Sequence, residues 1–176
     1  MSGSPHENAP SAPVLLTGER LALRPWGPAD GPELNRIVAL PEVARWWAPE
    51  DFTRADDEAC RYTIVVEGAV RGLVQFYEET DPDYRHAMLD IFLDPAVRGR
   101  GLGVEAVLLL IRWLFEARGH HRVTIDPALD NEAAIRAYEK AGFRRVGVLR
   151  EFWRDHADGV WRDGLLLDLL RRDLPG

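Results

Sequence analysis

Cysteine and long apolar runs are scarce in this sequence of 176 residues. The one cysteine, Cys60, cannot form an internal disulfide, and without a second cysteine it does not indicate a zinc or thioredoxin-type site. No apolar run approaches the length that spans a bilayer, and the first residues lack the basic start and apolar stretch of a secretory signal. We therefore expect a cytoplasmic protein that has no membrane partner and no metal.

Basic residues are also fewer than acidic ones. The sequence has 22 Lys and Arg against 29 Asp and Glu, a net charge of −7. Because phosphate binding needs a basic surface, this balance argues against nucleic acid as a partner and suits a cationic substrate. The length and the 46% hydrophobic content suffice for one core. We expect a disordered tail over residues 1–13, rich in Ser, Pro and Ala, and a single domain over 14–176.

Hydrophobic periodicity predicts strands and helices that alternate in the second half of the chain. Two early strands are joined by Glu67-Gly68-Ala69, which suits a hairpin. The pattern predicts a mixed α/β sheet covered by helices. The predicted strands are 19–25, 62–66, 71–77, 86–93, 121–126, 143–148 and about 161–170. The predicted helices start after Asp30 and at about 54–59, 104–118 and 131–141.

Three glycines stand between a predicted strand and a predicted helix, in the run Arg98-Gly99-Arg100-Gly101-Leu102-Gly103. Glycines leave the backbone amides uncovered, and the start of a helix attracts anions. With two arginines beside it, the turn is a candidate cradle for a phosphate or pyrophosphate. It lacks the Lys-Ser/Thr of a P-loop and the spacing of the dinucleotide fingerprint. A plain tight turn is the alternative.

Side chains before and after this turn also stand out. Asn131, Ala134 and Tyr138 share one stripe of their helix, although Asn131 could equally be its N-cap and Tyr138 an ordinary core aromatic. Asp90 interrupts an apolar strand, where a carboxylate is costly without a partner or a chemical role. Asp126 ends the strand before the helix. Both carboxylates are candidates for holding or deprotonating a cation.

The sequence resembles the GCN5-related N-acetyltransferase (GNAT) family from about residue 20 to 170. The coenzyme A motif of that family, Gln/Arg-x-x-Gly-x-Gly/Ala before a long helix, is filled by Arg98, Gly101 and Gly103. A later family pattern is present as 131–134 and 138–143, NEAA and YEKAGF. The resemblance implies an α/β fold with a mixed, mostly antiparallel sheet of six to seven strands and about four flanking helices. It also implies acetyl-CoA as the co-substrate.

The family pattern assigns a role to each part of the coenzyme site. Asn131 would hydrogen-bond the pantetheine arm, and Tyr138 would protonate the departing thiolate. The residues that the resemblance implies for acetyl-CoA binding are Leu93, Arg98, Gly99, Arg100, Gly101, Leu102, Gly103, Val104, Asn131, Ala134 and Tyr138.

Within the family the sequence is similar to the aminoglycoside 6′-N-acetyltransferase branch. Asp90 lies eight residues before the coenzyme motif, Asp126-Pro127 lies five before Asn131, and a Trp-Trp pair follows the first helix. In that branch these carboxylates contact drug ammonium groups, and the first is a proposed general base. The resemblance therefore implies Asp90 and Tyr138 as catalytic residues. The implied acceptor site comprises Trp46, Trp47, Glu78, Glu79, Asp90 and Asp126.

The C-terminal stretch departs from that branch. Its Gly-Val-Trp-Arg-Asp run at 159–163 is similar to the last hairpin of ribosomal-protein N-terminal acetyltransferases. The leading prediction is acetyl transfer to a primary amine of a cationic small molecule. A peptide N-terminus as acceptor and a non-catalytic acyl-CoA-binding module remain as alternatives, and the sequence leaves the oligomeric state open.

Overall fold

The computed structural model describes residues 13–174, in which eight strands form one sheet and four α-helices pack on it. The tail expected over 1–13 lies outside the described residues except for Pro13. The strands are β1 (Leu16–Thr17), β2 (Ala22–Pro25), β3 (Cys60–Val66), β4 (Ala69–Glu79), β5 (His86–Leu93), β6 (Arg122–Ile125), β7 (Arg144–Arg154) and β8 (Trp161–Leu170). The helices are α1 (Gly31–Val38), α2 (Pro41–Ala44), α3 (Leu102–Glu116) and α4 (Glu132–Lys140).

The strand order is β1-β2-β3-β4-β5-β6-β8-β7. Only β5 and β6 run parallel, and every other neighbouring pair is antiparallel. The predicted class, a mixed and mostly antiparallel α/β sheet, is confirmed. The sheet has one strand beyond the predicted range because β1, only two residues long, is too short to show a period.

The parallel pair ends early. Its register joins Ala87 to Val123, Met88 to Thr124 and Leu89 to Ile125, and β6 stops there. In contrast, β5 continues to Leu93 with β4 as its partner. The two strands therefore part after Leu89 and Ile125, and a cleft opens between them.

Two hydrophobic cores lie on opposite faces of the sheet. On one face the main core contains the apolar side of α3, and α4 adds Ile135. The buried residues of α3 recur every three or four positions, as expected for a helix packed on a sheet. They are Ala106, Val107, Leu110, Ile111 and Leu114. On the other face α1 packs Leu34 and Ile37 against β4 and β5. No helix within residues 13–174 is long and apolar enough to cross a membrane.

The helix predicted over 54–59 is wrong. The Asp56 carboxylate accepts hydrogen bonds from the amides of Glu58 and Ala59, and such local side-chain bonds compete with helix formation. Arg61 then donates to the Asp56 carboxylate and to the carbonyl of Arg54. The helix in this part of the chain is instead α2, which starts at Pro41 and has only four residues.

A buried ion pair ties the end of β4 to the segment after α3. The Glu78 carboxylate, with 16% of its side chain exposed, pairs with Arg118 and lies 2.6 Å from Nε2 of His120. Burial favours the protonated acid, but hydrogen bonds from His120 and Arg118 lower the pKa of Glu78 to about 2. The ionised pair therefore stabilises the fold above the ordinary pKa of glutamate.

Replacing Glu78 by Gln should make stability less dependent on pH. A pKa of about 2 against 4.5 for free glutamate corresponds to about 3 kcal/mol of stability, present above pH 4.5 and lost as the pH falls toward 2. Urea unfolding followed between pH 7 and 3 should show a steep loss in the wild type and a shallower one in Glu78→Gln. The control is Glu79→Gln, because the Glu79 carboxylate accepts only the amide of Asp81 among the described residues, and this variant should follow the wild type. Parallel curves for wild type and Glu78→Gln would contradict the assignment.

Candidate functional site

The glycine turn before α3 has its amides free. Gly99 and Gly101 both have φ of 75°, a conformation that residues with a Cβ rarely adopt, and Gly101 is the N-cap of α3. No hydrogen bond among the described residues uses the amides from 99 to 104 as donors. A Cβ added at Gly99 would meet nothing within 4 Å, so the turn borders open space. These features fit an anionic group such as a pyrophosphate.

Basic side chains lie around this turn. Arg98 donates to the carbonyl of Glu42 at 3.3 Å, and Arg100 pairs with the exposed Glu67 at 3.2 Å. Both arginines are solvent-exposed, and neither is committed to a buried partner. They therefore add positive charge where the amides are free.

Arg20 is a third arginine at the turn, and the sequence did not point to it. It binds Glu105, in the first turn of α3, through its amide and Nε at 2.8 Å each. It also donates to the carbonyl of Arg100 at 2.6 Å. An acidic residue so close to an anion site would repel the anion, and Arg20 neutralises it. An acidic residue in the first turn of an anion-binding helix is the signal that could have revealed this pair.

The remaining residues of the motif shape the wall beside the turn. Leu102 is buried in the main core and anchors the helix, so only its backbone faces a ligand. A Cβ at Gly103 would lie 3.2 Å from Cδ1 of Leu93, which shows how closely the helix start packs on the end of β5. Val104 and Leu93 are partly buried against the same core.

The edge of β5 that faces the cleft is open. From Asp90 to Leu93 the strand pairs with β4 on one side, and no strand among residues 13–174 pairs with its other side. Backbone amide and carbonyl groups on such an edge are available to an extended ligand that carries amides of its own.

Asp90 and Asp126 occupy the first positions beyond the parallel pairing. Since Leu89 pairs with Ile125, the next residues of the two strands lie side by side on one face of the sheet. Burial raises the pKa of Asp90, a hydrogen bond from Gln75 lowers it, and the charge of Glu50 raises it. Burial and the neighbouring charge of Asp90 raise the pKa of Asp126 to about 6. The cleft therefore holds two coupled carboxyls.

Tyr138 on α4 completes this group. Its ring packs against the main core, with the Phe143 ring 6.0 Å away. Burial raises the pKa of its phenol well above the usual range, and the charges of Asp90 and Asp126 raise it further. The phenol is thus a core aromatic that keeps its proton beside the two carboxyls.

Asn131 is the N-cap of α4, as one of the two sequence interpretations proposed. Its side-chain oxygen accepts the amide of Ala134 at 3.2 Å. Because the oxygen is used by the helix, the amide nitrogen of the side chain is the part left for a ligand. Ala134 is partly buried and serves the cap with its backbone.

The two tryptophans separate in the structure. Trp47 packs edge-on against Phe92, with ring centres 4.8 Å apart, and its indole N–H donates to Glu50 at 3.2 Å. Trp46 instead lies under the Arg45 guanidinium, 4.4 Å from its ring centre. Only Trp47 is linked to the carboxylates of the cleft, through Glu50.

The two predicted glutamates of β4 lie on opposite faces. Gln75 contacts Asp90, and strand alternation places Glu78 on the other face, where Arg118 and His120 use its carboxylate. This corrects the expectation that Glu78 binds substrate. Glu79 is on the same face as Gln75 but at the far end of β4, opposite His86.

A polar network beneath Asp90 was missed by the sequence interpretation. It joins Gln75 and Tyr77 of β4 to Arg61 of β3 and to Glu50. Gln75 stands in an apolar stretch of its strand, as Asp90 does in the neighbouring strand, and this pattern was the available signal. Within residues 13–174 no group of three or more His, Cys, Asp or Glu is placed to hold a metal ion.

The residues that build this cleft lie within or just beside a region that matches a known protein family. Residues 20–144, well over half of the chain, match the family model of an acetyltransferase (GNAT) domain. The chain is 31% identical over 122 residues to the probable N-acetyltransferase YjcK of Bacillus subtilis, covering 69% of this chain and 60% of that protein. It is 30% identical over 132 residues to the aminoglycoside N(6′)-acetyltransferase type 1 of Klebsiella pneumoniae, covering 61% and 65%. The chain thus spans less than two thirds of these curated relatives.

The fold also has a counterpart among solved structures. The ribosomal-protein-S5-alanine acetyltransferase from Vibrio fischeri matches with a TM-score of 0.78 over 93% of this chain and 100% of that chain, at 19% identity. This likeness shows the shared fold. From the family match over residues 20–144 and this architecture, we conclude that the chain belongs to the GNAT family of acetyltransferases.

Proposed function

We propose that the protein transfers acetyl from acetyl-CoA to a primary amine of a cationic small molecule. The observation that carries this proposal is the pair Asp90 and Asp126 at the point where β5 and β6 part, with Tyr138 beside them. The pair provides negative charge for an ammonium group and a base for its proton. Tyr138 provides an acid at the same place.

The donor site that we propose runs from the glycine turn to the cleft. The free amides of 99–104, together with Arg98 and Arg100, would hold the pyrophosphate of acetyl-CoA. The open edge of β5 and the side-chain amide of Asn131 would hold the amides of the pantetheine arm. In this arrangement the thioester would lie between the two strands, within reach of Asp90 and Tyr138.

In the proposed reaction the amine attacks the thioester directly. Asp90, alone or through a water, accepts a proton from the ammonium group, and the amine nitrogen then bonds to the thioester carbonyl carbon. The carbon–sulfur bond breaks, and Tyr138 donates its proton to the leaving thiolate. The second proton of the attacking nitrogen passes to the Tyr138 phenolate, which leaves a neutral amide, and Asp90 returns its proton to solvent. The raised pKa of Asp90 makes it a stronger base than an exposed carboxylate, and the raised pKa of Tyr138 keeps the phenol protonated until the thiolate forms.

An aminoglycoside-type acceptor fits the charge of the cleft. Asp90 and Asp126 lie side by side, and Glu50 is near enough for its charge to raise the pKa of Asp90. A molecule with several ammonium groups would satisfy these carboxylates at once. The 30% identity to the Klebsiella pneumoniae aminoglycoside N(6′)-acetyltransferase type 1 supports the same class.

The β7–β8 hairpin favours a second candidate, the α-amine of a protein. Trp161, at the start of β8, is 56% exposed. With Leu129, Asp130, Arg162 and Asp163 it lines an open pocket of about 420 Å³ just before α4. An exposed aromatic beside an open pocket suits the side chains of an extended peptide.

A thiol-release screen with acetyl-CoA would separate these acceptors. The panel should contain a kanamycin-type aminoglycoside, a linear polyamine and short peptides with a free N-terminus. We expect the highest kcat/KM with the aminoglycoside. Preference for peptides would favour the second candidate. Coenzyme binding by calorimetry with no thiol release on any amine would indicate a non-catalytic acyl-CoA-binding module and overturn the enzymatic proposal.

Replacing Tyr138 by Phe should lower kcat by about 100-fold, the lower end of the usual contribution of a general acid, because the thiolate would leave unprotonated. The KM for acetyl-CoA should change little, since the ring still packs against Phe143. Steady-state thiol release measures both constants. The matched control is Tyr84→Phe, in which a 73% exposed tyrosine loses its hydroxyl. A kcat equal to that of the control would remove Tyr138 from the mechanism.

Replacing Asp126 by Asn should weaken acceptor binding without loss of stability. With a pKa of about 6, Asp126 gains its charge as the pH rises through 6, so the wild-type KM for a cationic acceptor should fall between pH 5 and 7. The fall in KM between pH 5 and 7 that is due to Asp126 should be absent in Asp126→Asn. Because a raised folded-state pKa lowers stability above that pKa, the variant should unfold at pH 7 with at least the wild-type free energy. An unchanged KM profile would exclude Asp126 from the acceptor site.

A further inference from the structure

Arg61 begins a buried chain of hydrogen bonds that ends at Asp90. The Arg61 side chain is only 3% exposed. It pairs with Glu50, and with Asp56 at 3.0 Å, so its positive charge is already balanced. Its Nε donates to Oε1 of Gln75 at 3.1 Å.

Gln75 connects Arg61 to Asp90 in the cleft. Its Nε2 lies 3.0 Å from the Tyr77 hydroxyl and 3.5 Å from Oδ2 of Asp90. A flipped amide would turn its oxygen toward the Asp90 carboxylate and its N–H groups toward the guanidinium of Arg61, which cannot accept them. A cation on one side and an anion on the other therefore lock the amide in one orientation.

We propose that Gln75 is a positioning residue that orients the Asp90 carboxylate through an amide dipole, and that Arg61 fixes the orientation of Gln75. This inference rests on Asp90 being the base of the proposed reaction. A guanidinium in direct contact with Asp90 would also orient it, but would form an ion pair and remove its basicity. Gln75 orients the carboxylate without contributing a charge.

The other groups that face Asp90 bring no compensating cation. Asp126 lies beside it on the strand after the cleft, Tyr138 approaches from α4, Tyr77 from β4, and Glu50 acts from the loop after α2. In the described part of the chain, Gln75 is the one hydrogen-bond donor to the Asp90 carboxylate. Among the described residues the Gln75 amide is therefore the one hydrogen-bonding group that lowers the pKa of Asp90, against the burial and the charge of Glu50 that raise it.

The Gln75 side-chain amide also fixes the orientation of the Tyr77 hydroxyl. Because this hydroxyl accepts from Gln75, its own proton must point away from Gln75. Burial and, after it, the charge of Asp90 raise the pKa of Tyr77 to about 12, so the proton stays in place. The Arg61–Gln75 unit thus fixes both a carboxylate and a hydroxyl donor on one face of the sheet.

The test replaces Gln75 by Leu and follows Asp90 directly. In protein labelled with carbon-13 at the aspartate carboxyls, the Asp90 signal is assigned by its absence in Asp90→Asn. Without the amide, Asp90 should titrate at a pH higher by about half a unit or more. The acidic limb of the acceptor kcat/KM profile should move by the same amount, while the KM for acetyl-CoA should not change.

Two further variants separate positioning from general damage to the sheet. Gln75→Glu keeps an acceptor for Arg61 but offers no donor to Asp90, so it should shift the titration of Asp90 in the same direction and at least as far. Thr63→Val removes a buried hydroxyl on the same face that binds Asp30 at 2.7 Å and does not contact Asp90. It should leave the titration at the wild-type pH.

Wild-type titration of Asp90 in both Gln75 variants would overturn the proposal, as would an equal shift in Thr63→Val. The NMR measurement needs no turnover, so it decides the role of Gln75 even when no acceptor is acetylated. Absence of acetylation by the wild type would count against the proposed function alone.

Discussion

The parting of β5 and β6 is the constraint on which the site depends. Two parallel strands that stayed paired would cover both edges with backbone hydrogen bonds and leave no cleft. Here pairing stops at Leu89 and Ile125, where β6 ends, and β5 continues to Leu93, shortly before the glycine turn. The early end of the β5–β6 pairing thus exposes a strand edge and leaves two carboxyls side by side. The start of α3 follows at the end of the same edge.

Two largely buried carboxyls on neighbouring strands have opposite pKa shifts because the two faces of the sheet give them different partners. Glu78, on the face covered by α3, has an arginine and a histidine as partners, and its pKa is about 2. Asp90, on the opposite face, has only the Gln75 amide, and its pKa is raised. The first carboxylate stabilises the fold as an ion. The second is held in a place that disfavours its charge, and such a group binds or accepts a proton readily.

The sequence allowed prediction of those parts of the site that depend on local spacing. The glycine turn, the cap at Asn131, the place of Asp90 inside its strand and that of Asp126 at the end of its strand all follow from a few consecutive residues. The wrong helix at 54–59 and the missed Arg61–Gln75 contact have another origin. The 54–59 turn is fixed partly by the local hydrogen bonds of Asp56 and partly by Arg61, which holds the 54–56 segment from β3 while it binds Gln75 on β4. The Arg61 contacts depend on the pairing of β3 with β4. Single-sequence periodicity carries no information about that pairing.

The unfavourable electrostatics of the acidic cleft are offset by hydrophobic packing elsewhere in the fold. Asp90 and Asp126 repel each other, and both would be better solvated in an unfolded chain. The main core on the α3 face and the smaller core under α1 hold the strands on either side of them, so the carboxyls cannot separate without disrupting packed helices. Their closeness is therefore imposed by the fold. If the acceptor is a cation, as proposed, its entry between them would relieve the repulsion, and this relief would contribute binding energy because the fold holds the two carboxyls close together in the empty site.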